Sequence, residues 1–152
     1  MKAMIFAAGL GTRLGKLTET KPKALIEVNG KPMLEHVVDY LKSYGVNEII
    51  INVHHFAGMI QEFIKQKNSF GIDIKISDES DQLLDTGGGL VKASHFFMDG
   101  KPLVAHNADV LSTTDLNQAM MLHNHLKPMA TLVVKKRNSS RYLLVDKQGK
   151  LC

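Results

Sequence analysis

The sequence predicts an α/β protein built on a mostly parallel β-sheet with helices on its faces. Short β-rich runs alternate along the chain with amphipathic helical stretches, which is the pattern of repeated βαβ units. The first β-rich run, residues 3–7, is apolar throughout and leads directly into a glycine-rich turn. That arrangement is typical of a buried parallel strand whose carboxyl end opens onto a ligand crevice.

Each later element has its own signal. Apolar residues recur at helical spacing from Met33 to Tyr44, after Pro32 and before Gly45, and predict the first helix. Similar patterns predict strands at 48–53, 72–76, 102–107 and 130–135 and helices at 57–67 and 89–97, with Asp115 capping a further helix that runs to Leu126. Residues 142–145 predict another strand, followed by a turn at 146–149.

Composition is that of one globular domain spanning residues 1–152. Hydrophobic residues make up 44% of the chain and charged residues 22%, so we do not expect disorder. No apolar run approaches the ~20 residues that span a bilayer, and the opening segment is shorter than a secretion signal core, so no membrane partner is expected. The single cysteine, Cys152, forms no internal disulfide, which fits a cytoplasmic protein.

The formal net charge of +4 raises the question of nucleic-acid binding. Four cations lie close together: Lys135, Lys136, Arg137 and Arg141. No aromatic residues lie among them to stack on bases, and no known nucleic-acid motif surrounds them. We therefore expect a solvent-exposed strand end there and no nucleic-acid partner.

The glycine-rich turn after the first strand predicts a phosphate-binding loop. We expect Gly9 and Gly11 to adopt positive φ and to present backbone N–H groups to an anion. Arg13 adds a planar fork of donors and Lys23 a compact second charge. Two cations beside bare amides indicate a polyphosphate ligand.

Two familiar phosphate loops do not fit this spacing. The dinucleotide-binding fingerprint requires a third glycine at position 14, which holds Leu14. The P-loop requires glycine at position 10 and serine or threonine at position 17, and both positions hold leucine.

A third pattern fits four blocks of the chain in order. Residues 9–14 read GLGTRL, residues 22–25 read PKAL with GKPM at 30–33, residues 86–89 read TGGG, and residues 107–109 read NAD. The chain thereby resembles the sugar-1-phosphate nucleotidyltransferases, over nearly its whole length. Members of that family are usually longer, so the resemblance indicates the N-terminal part of such a protein.

The resemblance implies a Rossmann-like, GT-A-like domain that lacks its C-terminal part. It implies transfer of a nucleoside monophosphate from a nucleoside triphosphate to a sugar-1-phosphate, with Mg²⁺ on Asp109. The implied catalytic residues are Arg13 and Lys23, and the implied sugar contacts are Gly87 and Gly89. The implied nucleotide contacts are Ala8, Gly9, Gly11, Thr12, Glu79 and Gly88. Base, sugar and oligomeric state stay open.

Two alternatives remain at this stage. One is a nucleotide-binding module without turnover, because the family's second metal ligand and most of its sugar contacts would lie beyond residue 152. The weaker one is a phosphohydrolase similar to the P-loop enzymes. We also expect the chain from about Asn138 onward to be mobile or to pair with another molecule. The seven histidines predict no metal site, and we expect His106 to be a packed residue at a strand end.

Overall fold

The computed structural model describes residues 1–136, 138 and 143–151. The chain divides into two compact units, Met1–Thr113 and Thr114–Cys152. The first unit contains the strands β1 (Lys2–Phe6), β2 (Glu27–Val28), β3 (Lys31–Pro32), β4 (Glu48–Val53), β5 (Asp73–Asp78) and β6 (Leu103–Asn107), the helices α1 (Met33–Ser43), α2 (Ala57–Gln66) and α3 (Asp85–Lys92), and 3₁₀ turns at Thr12–Thr18, Lys23–Leu25, Asn68–Gly71 and Ala93–Phe96.

Four strands of the first unit form one parallel sheet in the order β5-β4-β1-β6. Its inner strands are apolar, and Met4, Ile5, Ile50 and Ile51 have no exposed surface. Because successive side chains of a strand point to opposite faces, full burial of neighbours means that both faces are covered. The parallel sheet flanked by helices is therefore confirmed.

The sheet registers bring one row of side chains to the carboxyl ends of the strands. Phe6 of β1 pairs with Asn52 of β4 and with Asn107 of β6, and Asn52 pairs with Ser77 of β5. Residues in one register row share a face of the sheet. Across the sheet the row therefore reads Ser77, Asn52, Phe6 and Asn107, so three polar residues and one aromatic residue share the edge where the parallel strands end.

The strand and helix positions agree closely with the sequence, with small shifts at the ends. β1 begins at Lys2 and β5 runs from Asp73 to Asp78, because backbone pairing with β4 continues past the apolar residues into charged ones. β4 spans the predicted residues, and α1 and α2 end one residue earlier than predicted.

Two local features differ from the prediction. Residues 27–32 form a short antiparallel pair, β2 with β3, which was not predicted because each strand is only two residues long. The third helix was predicted to begin at Gly89, but α3 begins at Asp85 and contains the whole glycine triplet. Helix propensity is weak for glycine, so tertiary contacts must hold this turn helical.

The second unit contains α4 (Leu116–Leu126), at the predicted position. The side chain of Asp115 accepts hydrogen bonds from the backbone N–H groups of Asn117 (2.9 Å) and Gln118 (3.3 Å), so the predicted cap is confirmed.

The predicted strand at 130–135 is wrong. No strand is assigned there, and Leu132, Val133 and Val134 are exposed. β-Branched residues favour a strand only where a neighbouring strand and a packed face are available. Within the described part of this unit, no strand pairs with that run.

At the end of the chain the predicted turn at 146–149 is confirmed. Gly149 donates to Asp146 O (3.0 Å), Asp146 donates to Lys150 O (2.8 Å), and Val145 bridges to Leu151. Arg137, Arg141, Tyr142 and Cys152, on which other predictions rested, lie outside the described residues. No helix in the described part of the chain is long and apolar enough to cross a bilayer.

Candidate active site

A cleft of about 670 Å³ opens at the carboxyl ends of β1, β4 and β6. This edge is where open parallel sheets bind ligands. All residues around the cleft belong to the first unit, and they come from the loop after β1, the Lys23 turn, the strand ends and the start of α3. The lining residues are 6–14, 23–24, 52, 83, 85–86 and 107–109.

Most of the predicted site residues meet at this cleft. Seven line it: Ala8, Gly9, Gly11, Thr12, Arg13, Lys23 and Asp109. Four do not: Glu79, Gly87, Gly88 and Gly89. Residues of the GLGTRL, PKAL and NAD motifs therefore converge at the cleft, while the glycine triplet and Glu79 lie outside its lining.

The phosphate loop packs tightly against the turn that follows it. Gly11 has φ +68°, and a Cβ there would lie 2.8 Å from Thr18 Cγ2. The Thr18 hydroxyl donates to the carbonyl oxygens of Gly11 and Gly15, each at 3.1 Å. Gly11 is thus required by both its backbone conformation and a close contact.

The backbone conformation of Gly9 differs from the prediction. It does not have positive φ, and a Cβ there would meet nothing within 4 Å. The loop needs only one left-handed residue, at Gly11, to turn into the following 3₁₀ segment. Gly9 therefore leaves the backbone open toward the cleft but is not demanded by the fold.

The two cations of the site, Arg13 and Lys23, differ in whether they form an ion pair. The Arg13 side chain is exposed and has no ion pair or hydrogen bond with any residue that the structure describes. Lys23 forms an ion pair with Asp109, and the two side chains are 28% and 35% exposed. The lysine predicted to bind phosphate and the aspartate predicted to bind Mg²⁺ are therefore direct neighbours.

Asp109 fits a metal that is held jointly with a nucleotide. Mg²⁺ keeps several waters and takes one or two carboxylates together with substrate phosphate oxygens. Within residues 1–136, 138 and 143–151 no group of three His, Cys, Asp or Glu side chains is placed to hold a metal alone. A single carboxylate beside a phosphate loop meets the smaller requirement.

The start of α3 forms the far wall of the cleft. Asp85 and Thr86 line it, and Asp85 has φ +56°, which is uncommon for a residue with a Cβ. The triplet was interpreted as a place where a ligand approaches the backbone. In the structure Gly89 is buried and is approached by the protein's own side chains, while a Cβ at Gly87 would meet nothing within 4 Å.

Glu79 lies beneath the cleft instead of at its edge. It has no exposed surface, and its carboxylate accepts hydrogen bonds within the protein. Its burial follows from its position directly after β5, where its backbone N–H donates to Val53 O at 2.7 Å. In this buried position the Glu79 side chain does not reach the cleft surface, where a base could contact it.

Asn52 is the main residue of the site that the sequence analysis missed. It lines the cleft at 2% exposure and accepts a hydrogen bond from the Ala7 backbone N–H at 2.8 Å. A signal was present, because Asn52 interrupts an otherwise apolar strand between Ile51 and Val53. A polar residue in a buried strand requires a partner.

His106 is a packed strand-end residue, as predicted. Its Nδ1 lies 2.8 Å from Asn107 O, and its ring tilts against Tyr40 with 5.7 Å between centroids. Burial lowers the pKa of the imidazole, and this outweighs the hydrogen bond to Asn107 and the charge of Asp109, which both raise it. His106 is not among the residues that line the cleft.

An open parallel sheet whose carboxyl edge carries a glycine loop, two cations and a carboxylate places this chain among the α/β proteins that have a ligand cleft at that edge. The chain belongs to the nucleotidyl transferase family, whose family model matches residues 2–150.

Three relatives illustrate the likeness. The N-acetylmuramate alpha-1-phosphate uridylyltransferase of Caulobacter vibrioides is 42% identical over 106 residues, which are 68% of this chain and 44% of that protein. A probable mannose-1-phosphate guanylyltransferase of rice is 34% identical over 149 residues, 95% of this chain and 41% of that protein. The crystal structure of HddC from Yersinia pseudotuberculosis complexed with GMP-PN matches with a TM-score of 0.71 and 26% identity, covering 80% of this chain and 53% of that one.

The chain thus spans about half the length of the curated relatives it matches.

Proposed function

We propose that this chain binds a nucleoside triphosphate in the cleft and belongs to an enzyme that transfers the nucleoside monophosphate to a sugar-1-phosphate. The supporting observation is the meeting of three features at one sheet edge: the Gly11 loop, the exposed Arg13 side chain and the Lys23–Asp109 pair. The relatives named above, which are sugar-1-phosphate uridylyl- and guanylyltransferases, favour the same reaction.

In the proposed reaction an oxygen of the sugar-1-phosphate attacks the α-phosphorus of the triphosphate in line, and pyrophosphate leaves from the opposite side. The attacking phosphate oxygen is already ionised near neutral pH, so no general base is needed. The protein must then supply position and charge. We assign Arg13 to the β- and γ-phosphates and Lys23 to the region between the α-phosphate and the sugar phosphate.

Asp109 is the residue we propose for Mg²⁺. Bound there together with phosphate oxygens, Mg²⁺ would neutralise charge that builds up during phosphoryl transfer. The chain's own part is to hold the Asp109 carboxylate at the end of β6 and to release it from Lys23. Because both side chains are about one third exposed, this exchange of partners takes place in contact with water.

The remaining nucleotide and sugar contacts are also proposals. Ala8, Gly9, Gly11 and Thr12 line the cleft, and we assign them to the phosphates. Gly87 and Gly88 lie in α3, which forms the far wall of the cleft, and we assign them to the sugar and the nucleotide respectively. Gly89 is buried, so we propose it as a spacer beside the site and not as a sugar contact. By likeness to the N-acetylmuramate alpha-1-phosphate uridylyltransferase named above, we further propose that the product is a cell-envelope nucleotide sugar and that the enzyme acts in the cytoplasm.

The test compares alanine variants of three cations, Arg13 and Lys16 in the 3₁₀ segment Thr12–Thr18 and Lys23 in the turn Lys23–Leu25. Arg13→Ala and Lys23→Ala should each weaken nucleoside triphosphate binding roughly ten- to a hundredfold, the value of one charge-assisted contact. Lys16→Ala is the matched control, because Lys16 is exposed in the same 3₁₀ segment and does not line the cleft. Titration calorimetry with ATP, GTP, CTP and UTP measures the affinity lost in each variant.

An equal loss for Lys16→Ala and Lys23→Ala would remove the assignment of the loop. Pyrophosphate release with several sugar-1-phosphates then separates the two functions that remain open. Release that depends on the sugar-1-phosphate supports transfer, whereas tight binding without release supports a nucleotide-binding module.

A further inference from the structure

A carboxylate that the proposed reaction does not use is buried directly beneath the cleft. Glu79 has no exposed surface, and its backbone is fixed on the β4 side: its N–H donates to Val53 O at 2.7 Å, and its carbonyl oxygen lies 2.6 Å from His54 Nδ1. Burying a carboxylate is costly unless hydrogen bonds replace its hydration. Its partners therefore indicate what the burial achieves.

The Glu79 carboxylate joins two walls of the cleft. Oε1 accepts from Asn52 Nδ2 at 2.8 Å, and Oε2 accepts from the Leu84 backbone N–H at 3.3 Å. Asn52 in turn accepts from the Ala7 N–H at 2.8 Å. One hydrogen-bonded chain thus runs from Ala7, where β1 enters the phosphate loop, to Leu84, which lies between the lining residues Leu83 and Asp85.

Gly89 explains why this pair can sit where it does. A Cβ at Gly89 would lie 2.7 Å from Glu79 Oε1 and 2.8 Å from Asn52 Nδ2, which no real Cβ tolerates. The third glycine of the triplet therefore makes room for the buried pair. The residue after Leu84 is Asp85 at φ +56°, so the hydrogen bond also holds the turn that carries this strained residue into the wall.

We propose that Asn52 and Glu79 are positioning residues that fix the separation between the phosphate loop and the wall formed by Leu83, Asp85 and Thr86. The inference rests on the proposed nucleotide site. A cleft whose two walls are tied together before the ligand arrives binds a two-part ligand, phosphate and nucleoside, without first having to order its own loops.

The chemistry of the linkage requires a carboxylate. Both groups that reach Glu79, the Asn52 amide and the Leu84 N–H, are donors, and a carboxylate has only acceptors to offer. Glutamine has the same shape but one acceptor and one donor. Glu79→Gln therefore sets a donor against one of the two partners and breaks one link while filling the same volume.

Comparing the affinities for two ligands distinguishes a positioning role of Glu79 from a role in stability alone. Inorganic triphosphate can contact only the phosphate loop, whereas UTP or GTP also reaches the opposite wall. Of the two links, the one from the Leu84 N–H is longer, 3.3 Å against 2.8 Å, so glutamine should keep its oxygen on Asn52 and lose Leu84. We therefore expect Glu79→Gln to weaken binding of the preferred nucleotide about tenfold or more and binding of inorganic triphosphate less than about threefold. Both affinities are measured by calorimetry well below the unfolding midpoint.

Ser77→Ala is the matched control. Ser77 is 4% exposed, pairs with Asn52 across the sheet, and has a hydroxyl without a hydrogen-bond partner among the described residues. Its loss should leave both affinities unchanged. A Glu79→Gln protein with a lower unfolding midpoint but an unchanged ratio of the two affinities would overturn the inference and leave Glu79 a structural residue.

A measurement on the unaltered protein covers the case in which Glu79→Gln does not fold. Inorganic triphosphate, bound at the loop alone, should slow hydrogen exchange of the Leu84 amide as well as that of Ala7, because the chain links them. Slower exchange at Ala7 alone would refute the linkage. If the unaltered protein bound nucleotides no better than inorganic triphosphate, the proposed function itself would fail, and the inference with it.

Discussion

At the scale of single residues, the most informative contact is the ion pair between Lys23 and Asp109. It joins two side chains that the proposed reaction assigns to different partners, a phosphate and a metal. In this structure each neutralises the other, so the positive charge available to a triphosphate comes first from Arg13. A metal bound at Asp109, as proposed, would therefore also free the charge of Lys23 for the phosphates.

Because of this ion pair, Asp109→Asn should affect triphosphate affinity differently with and without Mg²⁺. Without Mg²⁺ the variant should bind triphosphate as well as the parent protein or about two- to fivefold more tightly, because Lys23 is released from a partly exposed ion pair worth up to ~1 kcal/mol. The gain in affinity on adding Mg²⁺ should disappear. Calorimetry with and without Mg²⁺ measures both effects.

Asp85→Asn is the control for this experiment, since Asp85 is another carboxylate on the lining of the same cleft. It should keep the gain on adding Mg²⁺. The metal assignment would be lost if Asp109→Asn kept that gain too.

The two glycines of the phosphate loop allow a second prediction. Gly11→Ala should lower the free energy of unfolding by about 1–2 kcal/mol, because alanine is strained at φ +68° and its Cβ would meet Thr18 Cγ2. Gly9→Ala, with no such constraint, should stay within about 0.5 kcal/mol of the parent. Urea unfolding of the two variants makes the comparison, and equal losses would contradict the loop geometry described here.

At the scale of elements, helices in the two units begin in different ways. α1 and α3 have no side chain that caps their first N–H groups, whereas Asp115 caps α4 with two hydrogen bonds. α1 gains its stability from a face of buried residues, among them Leu34, Val38 and Leu41. α4 buries only Leu116 along its length, so its end contributes a larger share of its stability.

Asp115→Ala should therefore destabilise α4 by about 1 kcal/mol, the usual cost of losing an N-cap. The effect should be seen as faster hydrogen exchange of the amides of Asn117 and Gln118, whose protons the carboxylate accepts. Asp115→Asn keeps an acceptor oxygen and should retain most of the protection. Unchanged exchange in the alanine variant would show that the helix does not depend on this cap.

At the scale of the whole molecule, the sheet and its order of elements follow from the sequence, but the contacts beneath the site do not. Apolar runs such as 48–53 and helical spacing such as that after Pro32 are local signals, and they place the elements. Asn52 and Glu79 are 27 positions apart, and their contact depends on the pairing of β4 with β5. The failed strand at 130–135 shows the same limit, because its residues favour a strand only beside another one.

The stability of the first unit should fall in two steps as the pH decreases. Burial lowers the pKa of His106 below its ordinary 6.5, so the folded state resists protonation and stability is lost as the pH drops below about 6.5. The pKa of Glu48 is lowered by a hydrogen bond from Lys75, and that of Asp78 by hydrogen bonds from Ser80. Their contribution is complete above about pH 4.5 and is lost below it.

Unfolding by urea across about pH 2.5–8 measures both steps of this profile. His106→Gln, which keeps a hydrogen-bonding side chain at the strand end, should remove the upper step and leave the lower one. An upper step of full size in that variant would assign it to another histidine.

The strand order also decides when the binding site can exist. β1 lies inside the sheet and is synthesised before both of its neighbours, because Lys2 pairs with Glu48 of β4 on one side and with Leu103 of β6 on the other. During synthesis on the ribosome, the apolar residues of β1 therefore emerge long before β6, the strand that pairs with their second edge. The cleft that Arg13 and Asp109 both line cannot form until β6 has been made. Strand pairings between residues so distant along the chain form slowly, and until they form the apolar β1 segment is exposed and prone to aggregation. The proposed nucleotide would therefore stabilise this protein only after β1, β4 and β6 have paired, and would not assist their pairing.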